Sequence, residues 1–297
     1  MKSLFNVGAG FIGSHIVDKL LSLGHQVVVI DNESSDGHDE YYWNSKAINY
    51  KFDIRDYDAI WAAFVGVNNV YHLAAKASVQ ASIDDPLTTM STQAMGTANV
   101  LEAARHHGVE KFIYSSTSAC YGNNNPIPNN ETMREDPLNA YAIGKLSGEQ
   151  LVKAYHGLYG MKTVAFRYTN VYGERARHVG TYAPAVSKFL KMRAEGDALT
   201  IFGDGKQRRD FIHVSDVVNA NAVISFEELD NWGEVYNIGY GQNWSIQEIA
   251  DAICKEQIHL SGRPGEMKET LADIGKAKAE LTWKPKVNIL DWIKKQP

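Results

Sequence analysis

Cysteine is nearly absent, with Cys120 and Cys254 the two in 297 residues. That excludes a scaffold stapled by disulfides and a cysteine-rich zinc site, and no metal site is expected. No apolar run reaches the roughly 18 residues a membrane span needs, so no membrane partner is expected. Positive charge is not in excess either. A net charge of −5 argues against a nucleic-acid backbone as partner, because such domains are usually basic. No internal repeat and no low-complexity segment is present. The N-terminus leads straight into an apolar run, without a basic stretch and cleavage site, so a cytoplasmic location is expected. Hydrophobic residues at 44% and charged residues at 22% are ordinary globular usage, which excludes disordered, collagen-like and coiled-coil rods. The length suits two packed regions.

What is present is alternation. Short apolar runs at Lys2–Val7, Val27–Ile30, Tyr50–Phe52, Asn69–Leu73, Lys111–Ser116 and Lys162–Tyr168 read as strands. Helical spacing separates several of them, at Ser14–Leu23, Thr88–His107 and Asn139–Tyr159, with Gly24 and Gly108 just past two of the helix ends. Continuous β-branched runs suit strands buried on both faces. The pattern predicts an α/β fold: a Rossmann-type doubly wound parallel sheet. After Tyr168 glycines, prolines and charges interrupt the alternation, which predicts a smaller C-terminal α+β lobe. The expected division is 1–173 for the dinucleotide domain, joined by 210–240, with 174–209 and 241–297 forming the substrate lobe. Asp36–Tyr42 is a polar, aromatic loop that the alternation does not explain.

Two constellations carry chemistry. Gly8-Ala9-Gly10-x-x-Gly13 lies between the first strand and the first helix. Glycines there allow a tight turn and bring a pyrophosphate to free N–H groups at a helix start. Asp31 ends the second strand, where a carboxylate binds ribose hydroxyls and repels a 2′-phosphate, so NAD is favoured over NADP. Further along, Tyr141 and Lys145 stand four apart on one helix face, and Ser115, Ser116 and Thr117 end the fifth strand. A nearby ammonium stabilises a phenolate, so Lys145 is expected to pull the Tyr141 phenol below its usual ~10, making a general base.

With these motifs the chain resembles the extended short-chain dehydrogenase/reductases of the nucleotide-sugar epimerase/dehydratase family. The resemblance runs through Gly8–His15, Asp31-Asn32, Asp53-Ile54-Arg55, His72–Ala75, Tyr114–Gly122, Tyr141–Lys145, Arg167–Gly173, Ile201–Asp216, Tyr236–Gly241 and Arg263–Asp273. It is strongest to UDP-hexose 4-epimerases. It implies NAD as cofactor, held also by Phe11, Ile12, Asn32, Asp53, Ile54, Leu73, Ala74, Ala75, Ser115 and Tyr168. Thr117, Tyr141 and Lys145 are then the catalytic group. A UDP-sugar is the implied substrate, with Asn170, Arg209 and Arg263 at the diphosphate, Phe202 beside uracil, Glu266 at the uridine ribose and Thr270 facing the sugar. A small residue at 270 implies room for a 2-acetamido group, hence UDP-GlcNAc and UDP-GalNAc besides UDP-glucose and UDP-galactose. Ser118 and Ala119 replace the Asp-Glu pair of 4,6-dehydratases, which argues against dehydration. Uronate 4-epimerases, decarboxylases and reductases share most of the motifs, and a non-catalytic NAD-binding regulator is the reading from another class. The resemblance also implies a homodimer through a four-helix bundle of helices at about 88–107 and 139–158, with Ala94, Ala98, Leu101, Leu151 and Tyr155 in contact. Four positions depart from the pattern: Asn6-Val7 stands for Thr-Gly, Gln93 for Asn and Thr169 for Phe.

Overall fold

β-Branched and aromatic runs make the strands of a computed structural model that describes residues 1–6, 8–35, 40–178, 184–262 and 267–297. The strands are β1 Lys2–Asn6, β2 Gln26–Ile30, β3 Ile48–Tyr50, β4 Asn69–His72, β5 Lys111–Thr117, β6 Lys162–Tyr168, β7 Asn170–Tyr172, β8 Leu199–Phe202, β9 Arg208–His213, β10 Glu234–Ile238, β11 Asn243–Ser245 and β12 Gln257–Leu260. The helices are α1 Phe11–Ser22, α2 Tyr57–Trp61, α3 Val79–Asp84, α4 Pro86–Met90, α5 Gly96–His106, α6 Ala140–Tyr159, α7 Ala185–Glu195, α8 Val214–Phe226, α9 Ile246–Ile253, α10 Gly275–Glu280 and α11 Ile289–Ile293.

Among the described residues, seven strands form one sheet in the order β10-β6-β5-β4-β1-β2-β3, every pair parallel. The order reverses between β1 and β4, and open α/β sheets bind ligands at such a switch point, beyond the strand carboxyl ends. This is the expected Rossmann-type architecture. One face carries the core of α1 and α8, including Ile16, Leu20, Val217 and Ile224. The other carries that of α5 and α6, including Val100, Leu101, Ala104 and Val152.

The later chain serves two places. β9 pairs with β7 and β11 in a three-stranded sheet, and β8 pairs with β12 in parallel. A third core cluster, with Phe189, Ile201, Trp244 and Ile249, lies among these elements. Residues 214–238 return to the large sheet through α8 and β10.

Two elements differ from the expected ones. β3 ends at Tyr50, because Phe52 leaves the strand and stacks on the Tyr50 ring at 5.2 Å. The helix expected from Thr88 starts at Pro86, capped by the Asp85 side chain. It passes through a π-helical turn at Ser91–Met95 before α5. An inserted π turn widens a helix locally and rotates the residues beyond it.

Candidate active site

The turn after β1 is built around close contacts. A Cβ on Gly8 would lie 2.7 Å from a Val29 methyl and 3.1 Å from the Phe5 Cβ. Gly8 is thus needed to seat the turn on β2, a packing duty. Gly10 caps α1 with no side-chain hydrogen bond, and the first bond of the helix runs from the Ser14 N–H to the Gly10 carbonyl. The N–H groups of Phe11, Ile12 and Gly13 therefore have no partner within the helix. They begin α1 beside a cleft lined by Gly10, Phe11, Ile12, Gly13, Asp31, Asn32, Ser34, Ser35, Leu73, Ala75, Ala77, Arg177 and Pro184.

Asp31 is buried at the end of β2. Burial pushes its carboxyl up, and hydrogen bonds from the Glu33 and Ala9 N–H groups, 2.8 and 3.2 Å, oppose that. Asn32 donates to Asp53, and Arg55 grips the same carboxylate and holds it down at about 2. Asp53 lies outside the cleft, on a neighbouring surface with Arg55 and Asp56. Ala74 and Ile54 turn into the core, Ile54 against Gly96. Val7 lies outside the described residues, as do 36–39 of the polar loop.

The catalytic candidates come together at the end of β5. Thr117 closes that strand, and its hydroxyl faces the Tyr141 phenol and favours the phenolate. Asn139 caps α6 through its side chain, which fixes the first turn, where Tyr141 stands. One turn later the Lys145 ammonium donates to the Ser115 carbonyl at 2.7 Å and lies 5.0 Å over the Tyr114 ring. Tyr168 is buried beside them and accepts from Ser115 and Asn221. Burial pushes the Tyr141 phenol up, and Thr117 opposes that. Burial disfavours the neighbouring ammonium as well and holds Lys145 at about 7.

Two buried networks hold this group in place. Arg167 on β6 pairs with Glu149 on α6 at 2.5 Å and with Glu135 at 2.7 Å. Glu149 also accepts from Ser116 at 2.8 Å. The second starts at Asn6 on β1, whose amide meets His72 Nδ1 at 3.2 Å. His72 Nε2 meets the Thr97 hydroxyl at 2.9 Å, and that hydroxyl donates to the Gln93 carbonyl at 2.5 Å. The hydroxyl proton is thus used on Gln93, so His72 donates from Nε2 and accepts at Nδ1 as a neutral ring. Complete burial, which pushes its pKa well down, agrees. The Gln93 side chain then donates to the Tyr141 carbonyl at 2.9 Å. A chain of hydrogen bonds therefore connects the strand below the glycine turn to the catalytic helix.

Beyond β7 a second cavity is lined by Asn170, Val171, Tyr172, Pro184, Ala185, Val186, Lys188, Phe189, Thr200, Phe202, Gln207, Arg209, Phe211 and Ile246. Pro184 borders both spaces, so they are neighbours. The charged residues among this described lining are Lys188 and Arg209, both cations. Cationic charge over an apolar floor suits a ligand with a planar base and an anionic group. Asn170, Phe202 and Arg209 lie here together. Arg263 and Glu266 lie outside the described residues. Thr270 is buried with its hydroxyl engaged by the Asp210 N–H at 3.3 Å. Sequence reasoning missed Lys188, whose ammonium stands 5.8 Å over the Phe202 ring. Its only signal is its place one turn after Pro184. Among the described helices of eight or more residues that do not continue another helix, α6, α8 and α9 have side-chain caps, from Asn139, His213 and Ser245. α1 and α7, which start at the two cavities, have none.

The residues present fit a dinucleotide: uncapped N–H groups at α1, a ribose-facing carboxylate at the end of β2, and Lys145 at the other side of the switch point. Comparison with known proteins agrees. A family described as "NAD dependent epimerase/dehydratase family" matches residues 7–239. The UDP-glucose 4-epimerase of Thermotoga maritima, solved with UDP-glucose, is 37% identical with a TM-score of 0.94, covering 100% of this chain and 97% of that one. A UDP-N-acetylglucosamine 4-epimerase from Methanobrevibacter ruminantium, solved with UDP-N-acetylmuramic acid, is 32% identical with a TM-score of 0.92, covering 99% and 96%. A UDP-glucuronate 4-epimerase of Thermodesulfobacterium geofontis is 34% identical over 97% of this chain and 92% of its own length.

Proposed function

The chain belongs to the NAD-dependent epimerase/dehydratase family, and on that premise we propose that it inverts C4 of a UDP-hexose through a transient 4-keto sugar. The observation that carries this reading is the Thr117–Tyr141–Lys145 group at the carboxyl end of β5, the edge of the sheet at which the α1 cleft opens. In this reading Gly10, Phe11, Ile12, Gly13, Asp31 and Lys145 hold NAD. When bound, NAD supplies the hydride acceptor for C4. Tyr141 removes the 4-hydroxyl proton with Thr117 as bridge, and returns one on the reverse step. Asn170, Arg209 and, from the resemblance, Arg263 hold the diphosphate while the keto sugar turns its other face. Ser118 and Ala119 offer no acid or base for dehydration.

UDP-glucose and UDP-galactose are the proposed substrates, with UDP-GlcNAc and UDP-GalNAc accepted beside Thr270. The test is incubation with UDP-glucose, UDP-GlcNAc and UDP-glucuronate, followed by separation of epimers. Conversion of UDP-glucose without UDP-GlcNAc removes the wider substrate range. Conversion of UDP-glucuronate alone, or release of its carboxyl carbon, replaces the reading with a uronate enzyme. Tyr141→Phe should lower kcat by about a thousandfold while NAD and UDP still bind.

A homodimer through α5 and α6 belongs to the same proposal, with one correction. Leu101 is wholly buried in the core and cannot serve an interface. Exposed apolar side chains lie instead on α3 (Ile83), on α4 (Leu87), at the end of the π turn (Met95) and on α6 (Ile143 and Leu158). Sedimentation as a monomer at micromolar concentration would remove this part. A cytoplasmic location is also proposed, in keeping with two unpaired thiols.

A further inference from the structure

Asp210 on β9 is wholly buried, and among the described residues no cation hydrogen-bonds its carboxylate. Its carboxylate instead gathers four donors from three separate stretches of chain. Oδ1 accepts from the Thr169 hydroxyl at 3.2 Å and the Tyr240 N–H at 2.8 Å. Oδ2 accepts from the N–H groups of Gly241 and Ala272, both at 3.2 Å. Its backbone is used as well. The carbonyl accepts from the Asn170 side chain at 3.0 Å, and the N–H donates to the Thr270 hydroxyl at 3.3 Å. The knot is closely packed: a Cβ on Gly239 would meet Oδ2 and a Thr169 carbon at 2.8 Å and the Ala272 Cβ at 3.2 Å.

Three proposed substrate residues are thereby fixed by one side chain's residue. Arg209 is its chain neighbour, Asn170 is bound to its carbonyl and Thr270 to its amide. Among the described residues, its hydrogen-bond partners include none of the proposed dinucleotide residues. We propose that Asp210 is a positioning residue for the nucleotide-sugar site: it ties strands β6, β7 and β9 to the 240–241 and 270–272 segments, and so sets Asn170, Arg209 and Thr270 around one ligand. The inference rests on the proposed function for the identity of that ligand.

Asp210→Asn keeps the shape and removes acceptors. An NH2 in the Oδ2 place faces two N–H groups, and in the Oδ1 place it faces the Tyr240 N–H while the Thr169 hydroxyl can turn to accept, so the knot loosens either way. Thr169→Val removes one donor and leaves the carboxylate and three N–H bonds, which guards against a variant that fails to fold. The measurements are UDP and NAD affinity by calorimetry, kinetics with UDP-glucose, and hydrogen exchange at Tyr240, Gly241 and Ala272. Asp210→Asn should weaken UDP and raise KM by about tenfold or more, with NAD affinity and kcat within about twofold. Thr169→Val should weaken UDP by about threefold and leave NAD alone. Unchanged UDP affinity in both variants overturns the proposal, and so does a parallel loss of NAD, which would mark general loosening. Failure of the wild type to bind UDP would refute the proposed function instead. Exchange then decides on Asp210 separately: faster exchange at the three amides supports the knot, and unchanged exchange overturns it.

Discussion

At the β1–α1 end of the cleft the binding surface is mostly backbone: a glycine turn, three uncapped N–H groups and one carboxylate 22 residues beyond Ala9. At the β9 end it is side chains, drawn from β7, α7, β8 and β9 and fastened by Asp210. The first end is local in sequence and tolerates few residues, because Gly8 has no space for a Cβ. The second is assembled from distant segments, and each of its residues is ordinary outside that assembly. The two ends should therefore fail independently.

The sharpest way to break the contrast is Arg209→Met. Loss of a guanidinium from an anion site should weaken UDP by about 10- to 100-fold and leave NAD unaltered, read by calorimetry. An equal loss of NAD would mean that the ends are not separable. Asp31→Asn is the opposite cut. NAD affinity should fall by about tenfold, discrimination against NADP should narrow, and UDP binding should stay. The third test concerns Lys145, which lies between the ends. Burial sets its folded pKa at about 7, below its usual value, so the unfolded chain binds the extra proton between pH 7 and 9. Stability of the cofactor-free protein should rise across that window by up to about 1.4 kcal/mol per pH unit from this group. Lys145→Met should flatten the rise, measured as urea midpoints at pH 7 and 9. An identical pH dependence in both proteins would show that the ammonium is not disfavoured.

The same contrast explains what could be read from the chain. The parallel sheet was legible because Val27–Ile30 and Lys162–Tyr168 are runs that only a doubly covered strand accommodates. The dinucleotide end was legible because its glycines and Asp31 sit at fixed offsets. Tyr141 and Lys145 share a helix face, but their electrostatics depend on burial, which spacing does not report. Lys188 carried only its place one turn after Pro184, and Asp210 carried no signal of its own. Lys188 matters through a cavity wall contributed by β8 and β9, and Asp210 through N–H groups 30 and 62 residues away. The π turn at Ser91–Met95 was also hidden, since apolar periodicity does not register one inserted residue.

The chain of contacts from Asn6 to Gln93 has a bearing on how this protein exchanges parts with its relatives. Two of its departures from the family pattern stand at opposite ends of one directed relay, with His72 and Thr97 between them. A chimera that imports either β1 or the 91–95 turn alone separates partners that this molecule keeps together. The relay is one unit of four residues spread over positions 6 to 97, and a graft that carries it intact keeps its partners together.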